Sequence, residues 1–153
     1  MNRSEASKTV ADLGTADTAT NATSQTSIDT LGFSYAAIDV IFEKVAAAGT
    51  GSAVAIACKL QQSDTTSSYS DIVAFTGGTA TSATVGYTIP TPANTADTNV
   101  VRFNVDLRGK KRYLNVFATP QVASVVAVNC RLTKGVNAPV NASDAGVKAF
   151  VSG

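Results

Sequence analysis

The sequence has no histidine and no tryptophan among its 153 residues, and it has only two cysteines. The absence of histidine removes the side chain most often used as a general base and one of the commonest zinc ligands. The carboxylates are scattered, and no nucleophile, base and oxyanion arrangement is recognisable. We therefore expect a protein that is not an enzyme and that takes no cofactor, metal ion or small-molecule substrate.

Charge is also scarce, because Asp, Glu, Lys and Arg make up 15% of the residues against a typical fraction of about 25%. The net charge of +1 creates no global field, so we expect no specific nucleic-acid partner. No segment reaches the roughly 18 apolar residues that a membrane span requires. The N-terminal segment also lacks the apolar core of a signal peptide. We expect no membrane contact, and assembly in a reducing cytoplasm.

What the sequence does contain is small and β-branched apolar residues. The hydrophobic fraction is 44%, whereas aromatic residues contribute only 7%. Such a composition favours tightly packed sheets in one domain. Cys58 and Cys130 each lie inside an apolar, strand-like run, and we expect both to be buried free thiols rather than a disulfide, since a reducing compartment disfavours bridges.

The clearest structural pattern is the segment VVRFNVDLRGKKRYLNV, residues 100–116. Its first half alternates with period 2, which is typical of a half-buried strand. Val101, Phe103 and Val105 form the apolar face, and Arg102, Asn104 and Asp106 form the polar one. Residues 108–112 then make a basic turn, and Tyr113 begins a returning strand. This segment predicts a β-hairpin.

Further strands are predicted from shorter apolar runs at residues 28–45, 52–62, 71–75, 79–89 and 122–132. Six to eight short strands separated by turn signals are typical of a sandwich. We therefore predict an all-β fold, an antiparallel β-sandwich or jelly roll with extended N- and C-terminal arms.

The domain organisation follows from the composition of the two ends. Residues 1–27 are polar and rich in Ala, Thr and Ser, and we expect them to form a flexible N-terminal arm because they bury too little apolar surface to offset their ordering entropy. Residues 28–132 make the sandwich, and residues 133–153 make a C-terminal arm. We expect the arms to reach neighbouring subunits, and removal of residues 1–27 to leave the fold intact.

The candidate subunit contact is the basic turn, and its members are Arg108, Lys110, Lys111 and Arg112. Four cations in five residues can contact a neighbouring subunit, although exposed and polar residues are also what any hairpin turn contains. Both interpretations stay open at this point.

Two other groups of residues are candidate sites. Asp64 and Asp71 flank one loop and could form a calcium or glycosidase pair, but Asp in a Ser- and Thr-rich loop more often serves turn chemistry. Four tyrosines could form a carbohydrate-binding surface, and they are Tyr35, Tyr69, Tyr87 and Tyr113. Without tryptophan they make a weak aromatic platform.

Three segments resemble a group of small structural proteins encoded by tailed bacteriophages near their capsid genes. LGFSYAAIDVIFEKVAAAG, residues 31–49, is similar to the opening strand of that group. AIACKLQQSDTTSSYSDIVAF, residues 55–75, resembles its strand and loop of the type KLQxSD followed by an aromatic residue and Asp-Val. VVRFNVDLRGKKRYLNVFATP, residues 100–120, is similar to its DLRG(K/R)(K/R)RY segment.

The resemblance implies a β-sandwich component of the virion. We expect a head decoration, or cement, protein on the capsid surface, whose partners are the major capsid protein and copies of itself, with a trimer as the expected oligomer. Two alternatives remain open. One is a tail-associated or receptor-binding module, and the other is a jelly-roll coat protein that forms the shell itself.

Overall fold

The computed structural model describes residues 6–13, 24–43, 55–76, 99–120, 124–137, 139 and 141–149. Within these residues the chain forms eight strands in two antiparallel four-stranded sheets, which confirms the predicted antiparallel β-sandwich. The strands are β1 (Lys8–Leu13), β2 (Ser24–Asp29), β3 (Tyr35–Phe42), β4 (Ala55–Ser63), β5 (Ser70–Asp71), β6 (Val100–Asp106), β7 (Tyr113–Pro120) and β8 (Val126–Thr133).

The order of the strands is that of a jelly roll. The first sheet runs β1-β8-β3-β6 and the second runs β2-β7-β4-β5. β1 pairs with β8, β2 with β7, β3 with β6 and β4 with β5. This is the pattern obtained when one long hairpin of eight strands is rolled up, so that the β3–β8 and β4–β7 pairs close the two sheets.

The alternation read from residues 100–106 is confirmed in β6. Phe103 and Val105 are buried, Val101 is half-buried and packs against the core, and the three polar residues between them are exposed. β3 and β8 alternate in the same way. Each inward side chain therefore meets the opposite sheet, whereas each outward one of this first sheet meets solvent.

The core consists of the inward-facing apolar side chains of both sheets. Cys58 and Cys130 belong to it as buried free thiols, as predicted. Burial raises the pKa of each thiol to about 12. The largest fully buried apolar side chains are Phe42, Ile28, Ile38, Leu60, Leu114, Leu132, Val40, Val105 and Val116.

The prediction of one strand over residues 28–45 is wrong. This run contains the end of β2, a connection over residues 30–34 and the whole of β3. Gly32 adopts a φ of +86°, a left-handed conformation that suits glycine and lets the chain reverse between the two sheets. Leu31 hid the turn, because it continues the spacing of the apolar residues although its own side chain is exposed.

The predicted strand at residues 71–75 is corrected as well. Ser70–Asp71 forms a two-residue strand, and Val73–Phe75 forms a 3-10 helix. The Phe75 ring meets the Phe103 ring edge-on, with centroids 5.9 Å apart. The weak strand predicted at residues 79–89 lies outside the described residues.

Part of the segment predicted as a flexible arm, residues 1–27, forms strands β1 and β2. β1 pairs with β8 along its whole length, and all but two residues of β2 lie within the predicted arm. Asp12 of β1 accepts a hydrogen bond of 2.9 Å from Thr26 of β2 and so links the two sheets. β1 is held by main-chain hydrogen bonds, which any sequence can form and which composition does not reveal. Deleting residues 1–27 would remove β1 and most of β2, so we no longer expect the fold to survive it.

The described part of the segment after β8 contacts the sandwich through its backbone. Gly135 N donates to Ala6 O at 3.0 Å, and Thr9 N donates to Ala145 O at 2.8 Å. Gly146 has a φ of +70°, and a Cβ there would come within 1.9 Å of Thr9 O. This close approach requires glycine and places residues 141–146 beside β1.

Candidate interaction site

The basic turn between β6 and β7 is built on two local hydrogen bonds and one anchor. Asp106 Oδ1 accepts from Arg108 N at 3.0 Å, and Leu107 O accepts from Lys110 N at 3.0 Å. Leu107 is buried in the core. Gly109 has a φ of +76°, a value that glycine adopts without steric cost. The turn therefore has a defined conformation, and its cations project from a fixed base.

Three of its four cations form ion pairs within the chain. Arg108 pairs with Asp106 of the preceding strand. Lys111 Nζ lies 3.0 Å from an Asp64 carboxylate oxygen. These contacts tie the turn to β6 and to the β4–β5 connection. The Arg108 guanidinium donates hydrogen bonds to Asp106, and they hold the pKa of that carboxyl well below its usual range.

Arg112 makes the third ion pair and attaches the turn to the end of β2. Its Nε and Nη2 atoms lie 3.0 and 2.8 Å from the two carboxylate oxygens of Asp29. These hydrogen bonds lower the pKa of Asp29, against the opposing effect of burial. The guanidinium also lies 4.9 Å from the centre of the Tyr113 ring. A bidentate, stacked arginine has a geometry that lysine cannot reproduce.

Two cations at this end of the sandwich have no ion pair among the described residues, and they are Lys110 and Lys134. Lys134 follows β8, with its Nζ 5.7 Å from the centre of the Tyr35 ring. The turn and Lys134 supply five cations, whereas Asp29, Asp64 and Asp106 supply three carboxylates. This end therefore has a local excess of two positive charges in a chain whose net charge is +1.

Two large apolar side chains are exposed beside these cations. Leu31 is 65% exposed in the β2–β3 connection, and Val136 is 77% exposed after β8. Val136 N donates to Gly32 O at 3.0 Å, so the two segments are neighbours. We call this surface the basic end and define it by Leu31, Arg108, Lys110, Lys111, Arg112, Lys134 and Val136.

The basic end contains all four cations that the sequence singled out, but it also has members that sequence reasoning missed. The sequence pattern places Leu31 in a strand, and Lys134 and Val136 in an arm. For Leu31 the missed signal is Gly32, since glycine is one of the strongest breakers of local structure. The described residues include no group of three or more side chains that could hold a metal ion.

The Asp64 and Asp71 carboxylates do not form a pair of their own. Asp64 bonds to Lys111, whereas Asp71 accepts from Lys59 at 2.9 Å and from Gln61 at 2.8 Å. Each carboxylate therefore neutralises a separate lysine, which favours the structural interpretation of both.

The tyrosines are dispersed as well. Tyr35 contacts Lys134, Tyr113 contacts Arg112, and the Tyr69 hydroxyl lies 2.6 Å from Ser27 Oγ on the second sheet. Tyr87 lies outside the described residues. The three described tyrosines thus form no common aromatic platform.

Comparisons with protein-family models, with curated proteins and with solved structures found no match to this chain. In the part of the chain that the structure describes, no helix has the length and apolar character needed to cross a membrane.

Proposed function

We propose that this protein is a structural component of a bacteriophage virion, a head decoration or cement protein that binds the lattice of the major capsid protein from outside. The proposal assigns it no catalytic activity. The observation that carries it is the basic end, where exposed apolar side chains lie beside two cations that form no ion pair with a described residue, on connections held by ion pairs. The three sequence segments that resemble phage structural proteins support the same reading.

The basic end has the physical properties of a docking surface. Leu31 and Val136 can bury apolar area against a partner, at about 25 cal/mol per Å². Lys110 and Lys134 can pair with carboxylates of that partner, since neither forms an ion pair with a described residue. The ion pairs of Arg108, Lys111 and Arg112 hold the connections in place before binding, which lowers the ordering cost of association.

The fold is compatible with this proposal without deciding it. Jelly rolls occur in viral capsid and lectin domains, and one fold supports many functions. A protein that binds only the assembled lattice stabilises that lattice by mass action, and many bound copies add their effects.

The test mixes the purified protein with empty heads that lack it. We expect saturable co-sedimentation and heads that resist heat better than untreated ones. Absence of binding to heads would overturn the proposal. Particles formed by the protein alone would instead identify a shell-forming coat protein, and affinity of the isolated protein for cells or glycans would identify a receptor-binding module.

The surface is tested by paired variants. Lys110→Glu changes a half-buried side chain of the basic end and Val136→Asp an exposed one, and each should weaken head binding at least tenfold, about 1.4 kcal/mol or more. Asn129→Asp is the control, because Asn129 is an exposed residue on the outer face of β8. Equal binding by all three variants would exclude the basic end as the contact.

A further inference from the structure

β6 lies at an edge of the first sheet. Among the residues that the structure describes, it is the last strand of that sheet and pairs only with β3. Phe42 N donates to Asn99 O at 2.9 Å and Leu107 N donates to Ser34 O at 3.1 Å, so the odd-numbered residues of β6 direct their backbone groups toward β3. The backbone groups of Val100, Arg102 and Asn104 therefore point away from the sheet.

The other edge strands are protected or shorter. β1 receives the segment after β8, through the bond between Thr9 N and Ala145 O. β5 has only two residues, and β2 has six against seven in β6. Prolines and bulges are two of the usual features that keep an edge strand from pairing. β6 contains no proline, and its register against β3 has no shift.

The charges of the outward side chains of β6 complement those of a second, antiparallel copy of the same strand. Arg102, Asn104 and Asp106 are exposed on one face, two residues apart. An antiparallel copy centred on Asn104 places Arg102 opposite Asp106 of the copy, and Asp106 opposite Arg102. Moving the centre to Arg102 would place two arginines face to face, which is unfavourable.

Ion pairs within each chain add further charges beside Arg102 and Asp106. Arg102 Nε lies 2.6 Å from Asp39 Oδ1 on β3, and Asp106 pairs with Arg108. Across two copies the charges would alternate in sign over four side chains. An open groove of about 250 Å³ lies between Ala74 and Phe75 on one side and residues 101–104 on the other.

We propose that two copies of this protein associate through their β6 edges, antiparallel about a two-fold axis at Asn104, to form one continuous eight-stranded sheet. The occupant of the edge is a second copy, because the charge pattern fits its own reverse. The two-fold dimer takes the place of the trimer that the resemblance implied, and the inference does not rest on the proposed virion function, since it concerns the isolated protein.

A cysteine at the axis tests the register. In such a pair the two Asn104 Cα atoms would lie about 5.5 Å apart, within the span of about 4.4 to 6.8 Å that a disulfide bridges. The Asn104→Cys variant should therefore form a covalent dimer under mild oxidation. Cys58 and Cys130 are buried and do not interfere.

Arg102→Cys is the matched control on the same strand. In the proposed register its two copies would be separated by about 13 Å along the strands, so it should form no covalent dimer. Crosslinking of Arg102→Cys in place of Asn104→Cys would overturn the register, and crosslinking of neither would overturn the edge contact.

The association itself is measured by sedimentation equilibrium of the unmodified chain. We expect a mass twice that of the 15.6 kDa chain, and a monomer or a trimer would contradict the two-fold contact. Asn104→Pro should return the protein to a monomer with unchanged circular dichroism, since this N–H points away from β3 and proline is tolerated at such an edge position. A persistent dimer in that variant would exclude the β6 edge.

Discussion

The outer faces of the two sheets carry similar ion pairs in opposite surroundings. On the first sheet Arg102 pairs with Asp39 across β3 and β6, and the arginine side chain is 65% exposed. On the second sheet Lys59 pairs with Asp71 across β4 and β5, and the lysine side chain is 3% exposed. The first pair is solvated, whereas the second has lost most of its water and depends on its partners.

The buried pair belongs to a row of polar side chains across the second sheet. Gln61 Nε2 donates to Asp71 at 2.8 Å, and Asn115 Nδ2 donates to the side-chain oxygens of Gln25 and Gln61 at 3.1 Å each. Lys59 and Asn115 are the buried members of this row, whereas Gln25 is exposed. The two buried groups depend on their partners, because an unpaired buried polar group costs free energy. The two sheets therefore share an interior but differ in how their outer faces tolerate substitution.

The largest effect is expected in the shared interior. Ile38→Ala on β3 removes a fully buried side chain, and we expect the free energy of unfolding to fall by about 3 to 4 kcal/mol. Ile41→Ala on the same strand is the control, since Ile41 is 41% exposed, and its cost should stay below about 1 kcal/mol. Urea denaturation measures both, and equal losses would contradict the assigned inward face.

The next effect separates the two outer ion pairs. Asp71→Asn leaves the Lys59 ammonium buried without its carboxylate, and we expect a loss of about 2 to 3 kcal/mol. Asp39→Asn makes the same change beside the exposed Arg102 and should cost much less. Urea denaturation of the two variants at neutral pH gives the comparison. A loss from Asp39→Asn as large as that from Asp71→Asn would show that burial does not distinguish the pairs.

A smaller effect is expected for the amide row. Asn115→Ala removes the donor shared by Gln25 and Gln61, and it should destabilise the protein by about 1 to 2 kcal/mol. Asn129→Ala on the first sheet is the control, because this residue is exposed. Thermal unfolding of both variants tests the difference. If Asn115→Ala proved as mild as its control, the amide hydrogen bonds would contribute nothing net.

The smallest effect concerns acid. Hydrogen bonds from Arg102 lower the pKa of Asp39 below the usual 3.8, while burial acts in the opposite sense. Because the folded pKa lies below the unfolded one, the stabilisation is complete above the unfolded value and is lost as the pH falls through the folded value. We expect the melting temperature to fall below pH 4, and to fall less steeply in Asp39→Asn. Equal slopes for both proteins would contradict this contribution.

Several features of the fold followed from local pattern. β6 runs from Val100 to Asp106 as predicted, because its alternation reports one buried and one solvated face. The pattern works less well for β7, where Asn115, Phe117 and Thr119 are buried on the outer face. There, burial depends on neighbouring strands rather than on the period of the sequence.

The sequence predicted the turn cations of the basic end but not its other members. The turn cations form a visible run in the sequence, but their ion-pair partners do not. Arg112 and its partner Asp29 are 83 positions apart, and Lys111 and its partner Asp64 are 47 positions apart. Lys134 and Val136 joined the site only because β8 ends beside the β2–β3 connection. Such proximity results from the rolled strand order and leaves no trace in local composition.

The sequence by itself determined the all-β class, the inward faces of β6 and β8, the turn at residues 108–112 and the burial of both cysteines. The physical reason is that side-chain period and apolar runs are local properties. Only the tertiary structure decided that β1 pairs with β8, which turn cations form ion pairs and which of the described strands lie at the sheet edges. Those outcomes depend on main-chain hydrogen bonds and on charges that come from distant positions, and both are set by how the eight strands roll together.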